Sequence, residues 1–245
     1  VPPTNPISQT RGGTDLEEEE STNWTLGAVW QWEALSVTFD YYNIEVDDRI
    51  SLSQDFTLTD AERQGLIDAG VTAAANIRDF RFFVNDFDTE TKGWDLVATY
   101  SLDSSFGVTD FNLAYNHNET EVTEAGDTID ANRIQELEEG LPEERANFSI
   151  NHTTGSWRFM TRYNWTDEWF DSEDGETYDS YWTLDVEGGY SFDNGLSVMV
   201  GSNNITDETP DDNPGAAAGV GNAYSQFAPL GFNGAFYYAR VVYDF

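Results

Sequence analysis

Paired carboxylates are the most frequent chemical constellation in this 245-residue sequence: Asp47 with Asp48, Glu143 with Glu144, Asp167 with Glu168. Two acids flanking a sugar could do glycosidase-type acid and base work. Among 46 Asp and Glu, however, such pairs arise by chance, so no catalytic residue is assigned and no enzyme is expected. The run DSEDGETYD at 171–179 has the acid density of a calcium loop but not the D-x-D-x-D-G spacing of an EF-hand, and it reads as a solvated loop. His117 and His152 are far apart in sequence, and a metal centre needs convergent ligands with supporting hydrogen bonds. No metal and no cofactor are expected. The absence of Cys removes thiolate sites, Cys nucleophiles and disulfide scaffolds. Only 11 Lys and Arg oppose the acids, giving a formal charge of −35, which excludes a nucleic-acid partner because counterion release needs clustered bases.

The elements that must position these groups follow a period of two. Nine segments each separate into an apolar and a polar face: 24–32, 35–42, 93–102, 110–116, 145–151, 156–165, 182–190, 196–201 and 235–245. Each is close to the roughly 9–11 residues that a tilted strand needs to cross a bilayer. Aromatic residues sit toward the ends of the apolar faces, among them Trp24, Trp32, Trp94, Trp157, Trp165, Trp182, Tyr190 and Tyr243, with aliphatics between them. That distribution matches the interfacial girdles of a membrane barrel. Short connections at 33–34, 103–108, 154–155 and 192–195 alternate with long ones at 51–79, 123–144, 167–180 and 205–234, which places every long loop at one end. A mean hydropathy of −0.54 and the lack of a long apolar run exclude a transmembrane helix and leave a barrel open. The long loops predict a helix over 59–70, with Thr59 and Glu62 as a capping box and Gly70 as C-cap, and a helical turn over 133–140 ended by Pro142.

On this strand pattern Arg158, Arg162 and Arg240 share the polar parity with Asp40, Asp95, Asp185, Glu187 and Asp244. In a closed barrel they would form an ion-pair lattice around a wet lumen. The loop aromatics Trp169, Phe170, Tyr178, Tyr224 and Phe227 could stack on a sugar or catechol substrate or pack loop on loop, and packing is the simpler reading.

Several segments, in order, resemble one family. GGTDLEEEESTNWTLG at 12–27 is similar to a loop-to-strand pattern of the TonB-dependent outer-membrane receptors, and FDYYNIEVDDRI to the aromatic-rich strand that follows it. FVNDFDTETKGWDLVATY, VGSNNITDETP and the closing FYYARVVYDF resemble the later strands of the same barrel. Glu19 stands where the family pattern has Pro-Glu, and Gly13-Thr14 where it has Gly-Asn, which weakens the first of these motifs alone.

The resemblance implies an all-β fold: the C-terminal part, about nine up-and-down antiparallel strands, of a transmembrane β-barrel of about 22 strands, with long acidic extracellular loops. Residues 1–245 would then be one barrel portion, preceded in the natural protein by earlier strands and a plug domain carrying the TonB box. The implied function is active uptake of a scarce, bulky nutrient across the Gram-negative outer membrane: an iron-siderophore, cobalamin or oligosaccharide. Implied partners are outer-membrane lipid, the TonB complex through the plug, the small-molecule or oligosaccharide substrate, and the barrel assembly machinery. Tyr237, Val241, Tyr243 and Phe245 look like the signal that this machinery reads by strand addition. A passive outer-membrane porin and a secreted acidic β-sandwich are the alternatives. The charge is distributed accordingly: residues 1–22 and the four long connections hold 29 of the 46 acids but only four bases, Arg11, Arg63, Arg78 and Arg133.

Overall fold

The computed structural model describes residues 1–173, 175–213, 215, 221 and 223–244, and among these described residues fifteen strands and three α-helices follow one another. The strands are β1 (Glu20–Trp32), β2 (Leu35–Asp47), β3 (Ile50–Leu52), β4 (Phe56–Thr57), β5 (Asp79–Phe80), β6 (Phe83–Asn85), β7 (Phe87–Ser104), β8 (Gly107–Ala125), β9 (Glu144–Thr154), β10 (Trp157–Thr166), β11 (Trp169–Asp171), β12 (Glu176–Tyr178), β13 (Tyr181–Ser191), β14 (Leu196–Asn203) and β15 (Phe236–Tyr243). The helices are α1 (Pro6–Gln9), α2 (Asp60–Asp68) and α3 (Ala131–Glu139). Among the described residues no helix is long and apolar enough to cross a membrane, which says nothing of crossing by strands.

Nine of the strands form one sheet in the order β1-β2-β7-β8-β9-β10-β13-β14-β15, with β1 and β15 at its two edges and no closure between them. The nine alternating segments of the sequence are these nine strands. Several run further than the apolar alternation does: β8 continues to Ala125 through the polar run NHNETEVTEA, and β7 begins at Phe87. Backbone pairing needs no apolar face, so the extensions leave no periodic signal. They are held instead by contacts such as the Thr91–Thr120 hydroxyl pair at 2.9 Å.

The chain folds as two compact units. The first comprises Val1–Trp24, Asn43–Thr91 and Thr120–Glu138. Its core is Ile7, Leu58, Ala74, Phe80, Phe82, Val84, Phe87 and Ile129, with Phe56 stacked on Phe82 at 5.7 Å. Two short ladders, β3–β6 and β4–β5, frame this core. Strands of two or three residues are too short to show a period, so the sequence pattern leaves them as loop. The helix at 59–70 is α2. Thr59 Oγ1 accepts from Glu62 N, and Thr59 N donates to Glu62 Oε2 at 2.7 Å, closing the capping box. The C-cap is Ala69, one residue before the expected Gly70, which follows with a φ of +92° and so ends the helix in the left-handed region. The turn expected at 133–140 is α3, two residues earlier at its start.

The second unit comprises Thr25–Tyr42, Lys92–Glu119 and the chain from Glu139. Its strands carry their large apolar side chains outward. Trp157, Phe159, Trp182, Val200, Tyr237 and Val241 are exposed, Val200 to 58%, while Asp185 and Glu187 on the opposite face of β13 are 8% and 7% exposed. A water-soluble sheet buries its apolar face. Here the sidedness is reversed. A small separate core, Trp169, Tyr178 and Tyr181, lies under the β11–β12 hairpin.

Candidate functional site

The polar face of β10, β13, β14 and β15 is organised around Glu187. Register places Met160 of β10 and Gly201 of β14 on either side of it, and Tyr238 of β15 beyond Gly201. Arg240 Nη2 lies 3.0 Å from Glu187 Oε2 and Arg158 Nη2 3.7 Å from Oε1, while the Tyr238 hydroxyl donates to Oε2 at 2.9 Å. One buried carboxylate thus holds two half-exposed guanidiniums, a geometry in which the charge-assisted bonds offset much of the carboxylate's desolvation. Gly201 makes room for it. A Cβ there would stand 2.7 Å from the Tyr238 hydroxyl and from the Val186 carbonyl.

The neighbouring strands carry a chain of amides. Asn147 Nδ2 donates to Asn164 Oδ1 at 2.5 Å, and Asn164 Nδ2 donates to Thr183 Oγ1 and Asp185 Oδ2, each at 3.1 Å. Asp185 Oδ1 accepts from Asn204 N at 2.9 Å. Asn204, with a φ of +50°, folds NNITDETP into a turn by donating from Nδ2 to the Glu208 carbonyl and accepting from Glu208 N. Asp95 accepts from Asn116 Nδ2 at 2.8 Å. Among the described residues Arg162 and Asp40 make no ion pair, although Arg162 stands opposite Asp185 in register. The amide chain and Tyr238 were not legible as site residues in the sequence. Their signal was present in the shared parity of Asn112, Asn116, Asn147 and Asn164, which mixes with ordinary polar residues.

The five loop aromatics do not form one surface. Trp169 stacks on Tyr178 at 5.1 Å with 13° between the planes, and both are buried with Phe170. Tyr224 stacks on Phe232 at 6.2 Å, and Phe227 is exposed. Tyr181 accepts at its hydroxyl from Leu230 N at 2.6 Å, joining the last loop to the hairpin core. Asp171 is engaged by the Ser225 hydroxyl at 2.6 Å and by Glu173 N, and no group of three or more metal-ligating residues occurs among the described residues. The histidines stay apart. His117 lies 3.7 Å from Glu144, and His152 pairs with the Thr109 hydroxyl at 2.8 Å. On β15, Tyr237, Val241 and Tyr243 are exposed along one face of an edge strand that pairs only with β14; Phe245 lies outside the described residues.

A family model of the TonB-dependent receptor-like β-barrel matches residues 2–205. The chain belongs to that family. Among solved structures it is similar to the copper transporter OprC, with a TM-score of 0.62 and 16% identity over 100% of this chain and 34% of that one. It is also similar to the ferric yersiniabactin uptake receptor FyuA from Yersinia pestis, with a TM-score of 0.55 and 15% identity over 93% and 30% of the two chains. The ferric-catecholate import receptor Fiu from K12 E. coli gives 0.56 and 12% over 80% and 25%. At these identities the likeness establishes the fold, and the chain spans about a third or less of the length of each of the three. No curated protein sequence matches. TonB-dependent receptors are Gram-negative outer-membrane transporters that bind small molecules such as siderophores. The expected family and the antiparallel fold are both borne out.

Proposed function

We propose that this TonB-dependent receptor chain is the C-terminal part of a larger outer-membrane barrel that takes up a scarce, bulky nutrient of the iron-siderophore, cobalamin or oligosaccharide type, energised through TonB. The observation that carries the reading is the reversed sidedness of the sheet: exposed Trp157, Trp182, Val200 and Tyr237 on one face, buried Asp185 and Glu187 on the other. Lipid would cover the first face and a wet lumen the second.

In this reading the Glu187–Arg158–Arg240 cluster and the amide chain of Asn147, Asn164 and Asp185 line the wall that meets the plug, through which the TonB complex acts. Tyr237, Val241, Tyr243 and Phe245 present the edge of the last strand to the barrel assembly machinery. In this reading the cargo crosses the membrane chemically unchanged, and the protein acts as a transporter rather than an enzyme.

The test is accumulation of radiolabelled ferric siderophore, cobalamin and maltodextrin by cells expressing the whole receptor, before and after the proton-motive force is collapsed. Loss of accumulation for one cargo supports the reading. Accumulation that only equilibrates, and persists without the proton-motive force, would identify a passive porin instead.

A further inference from the structure

On the polar face of the sheet, β7 to β10 border a cavity of about 460 Å³, a size that suits a small organic ligand. Asp95, Val97, Asn116, Arg145 and Asn147 line it, and Leu230 of the last long connection closes over them. That roof is fixed in place. Leu230 N donates to the Tyr181 hydroxyl at 2.6 Å, and the same hydroxyl donates to the Gly231 carbonyl at 3.3 Å.

Arg145 has no acid. In a chain with 46 Asp and Glu against 11 Lys and Arg, its guanidinium makes no ion pair among the described residues. The other arginines of this wall show the contrast, since Arg158 and Arg240 share Glu187. Arg145 stands opposite Asn116 in the β8–β9 register, and Asn116 Nδ2 donates to Asp95 at 2.8 Å, which occupies the nearest lining carboxylate. Asn147, two residues along β9, gives its Nδ2 to Asn164. Both amides spend their N–H groups sideways and keep carbonyl oxygens that can accept from hydroxyls.

We propose that this cavity binds a sugar acid, its carboxylate paired with the Arg145 guanidinium and its hydroxyls donating to Asn116 Oδ1 and Asn147 Oδ1.

The apolar lining supports a ring. Val97 and Leu230 are exposed although this is the polar wall, and the C–H face of a pyranose would cover them. The guanidinium supports a carboxylate, which its planar fork meets with two parallel hydrogen bonds. Asp95 sets the charge: with a carboxylate already lining the cavity, a monoanion is offset by Arg145, whereas a phosphate dianion or citrate leaves charge facing Asp95. The inference deepens the uptake reading and rests on it for the passage of the bound acid.

The experiment is calorimetric titration of the whole receptor in detergent micelles with glucuronate and with galacturonate at neutral pH. At least one of them should saturate a site, with glucose, galactose, citrate and inorganic phosphate each at least about tenfold weaker. Arg145→Gln should weaken the sugar acid by at least about tenfold, while Arg78→Gln, the same charge change in the other compact unit, should leave it unchanged. Leu230→Trp, which fills the cavity from its roof, should match Arg145→Gln and replaces it if that variant does not melt like the wild type. No saturation by either acid would overturn the proposal, as would equal binding of a neutral sugar, citrate or phosphate, or undiminished binding by folded Arg145→Gln. Binding in micelles does not require TonB. If the receptor binds the acid but cells do not accumulate it, the site stands and the uptake reading fails.

Discussion

Arg81 grips Asp55 through two parallel hydrogen bonds, Nε to Oδ1 at 2.5 Å and Nη2 to Oδ2 at 2.7 Å. The fork ties the segment before β4 to the residue after β5, beside the Phe56–Phe80–Phe82 cluster. The hydrogen bond from Arg81 is the main reason that the Asp55 carboxyl is held below the usual carboxylate range; burial opposes it, and the charges of Arg81 and Arg133 add to it. An acid whose pKa is depressed by folding stabilises the fold fully above its unfolded pKa, and that stability disappears as the pH falls through the folded value. Asp55→Asn should therefore loosen the β4–β5 region at neutral pH, by no more than about 1 kcal/mol because both side chains are substantially exposed. The difference from the wild type should vanish at a pH low enough to protonate Asp55. The readout is exchange protection of the Leu58 amide, which donates to the Arg78 carbonyl at 2.8 Å, compared between the two proteins at each pH. Equal protection at neutral pH would show that the fork contributes nothing.

Glu187 predicts an order of couplings. Its contact with Arg240 is shorter than that with Arg158, and Tyr238 donates to the same oxygen that Arg240 meets. Double-mutant cycles pairing Glu187→Gln with Arg240→Gln and with Arg158→Gln should give a coupling of about 1 kcal/mol for the first and clearly less for the second. Denaturant unfolding of the chain in micelles measures both. A larger Arg158 coupling would contradict the geometry.

Trp169 and Phe227 are both loop aromatics in the sequence, and the fold gives them opposite weights. Trp169 is 1% exposed and stacked on Tyr178, whereas Phe227 is 52% exposed. Trp169→Ala should cost about 3–5 kcal/mol and disorder the β11–β12 hairpin, while Phe227→Ala should stay within about 0.5 kcal/mol. Melting of the two variants distinguishes the cases, and similar losses would mean that the hairpin core is not a packing unit.

These residues also show how far the sequence could be read. The nine strands were legible because Trp, Leu and Val alternate with polar residues, and α2 because Thr59 and Glu62 stand three apart. Outside the alternation the pattern carried no information. The outer half of β8 is polar on both faces, β3 to β6 are two or three residues long, and the Asn5 cap on Ile7 N that begins α1 is one side chain among many polar ones. At the polar wall, parity put Asp185 and Glu187 on one face with three arginines, but it could not say which acid takes which base. That depends on cross-strand register and on the space above Gly201. Asp185, opposite Arg162, is taken by Asn164 and Asn204, and Glu187 receives Arg158 and Arg240.

Val200 gives the sharpest test of what covers the apolar face. It lies in the second half of β14, 58% exposed, opposite Gly188 on one side and Ala239 on the other. On a water-facing surface Val200→Arg should change stability by no more than about 0.5 kcal/mol. On a lipid-facing wall the guanidinium must leave water for hydrocarbon, and the cost rises with depth to about 2–4 kcal/mol near the bilayer midplane. The sidedness of β13 and β14 argues for the second outcome, because the carboxylates are on the covered face and the aliphatics on the open one. Reversible unfolding of the chain from lipid vesicles, wild type against Val200→Arg, decides it. Ser197→Arg, a substitution at an intermediate position on the opposite parity of the same strand, serves as the control and should cost clearly less. If the two arginines cost the same, the apolar face does not meet lipid, and the membrane reading of this sheet falls with it.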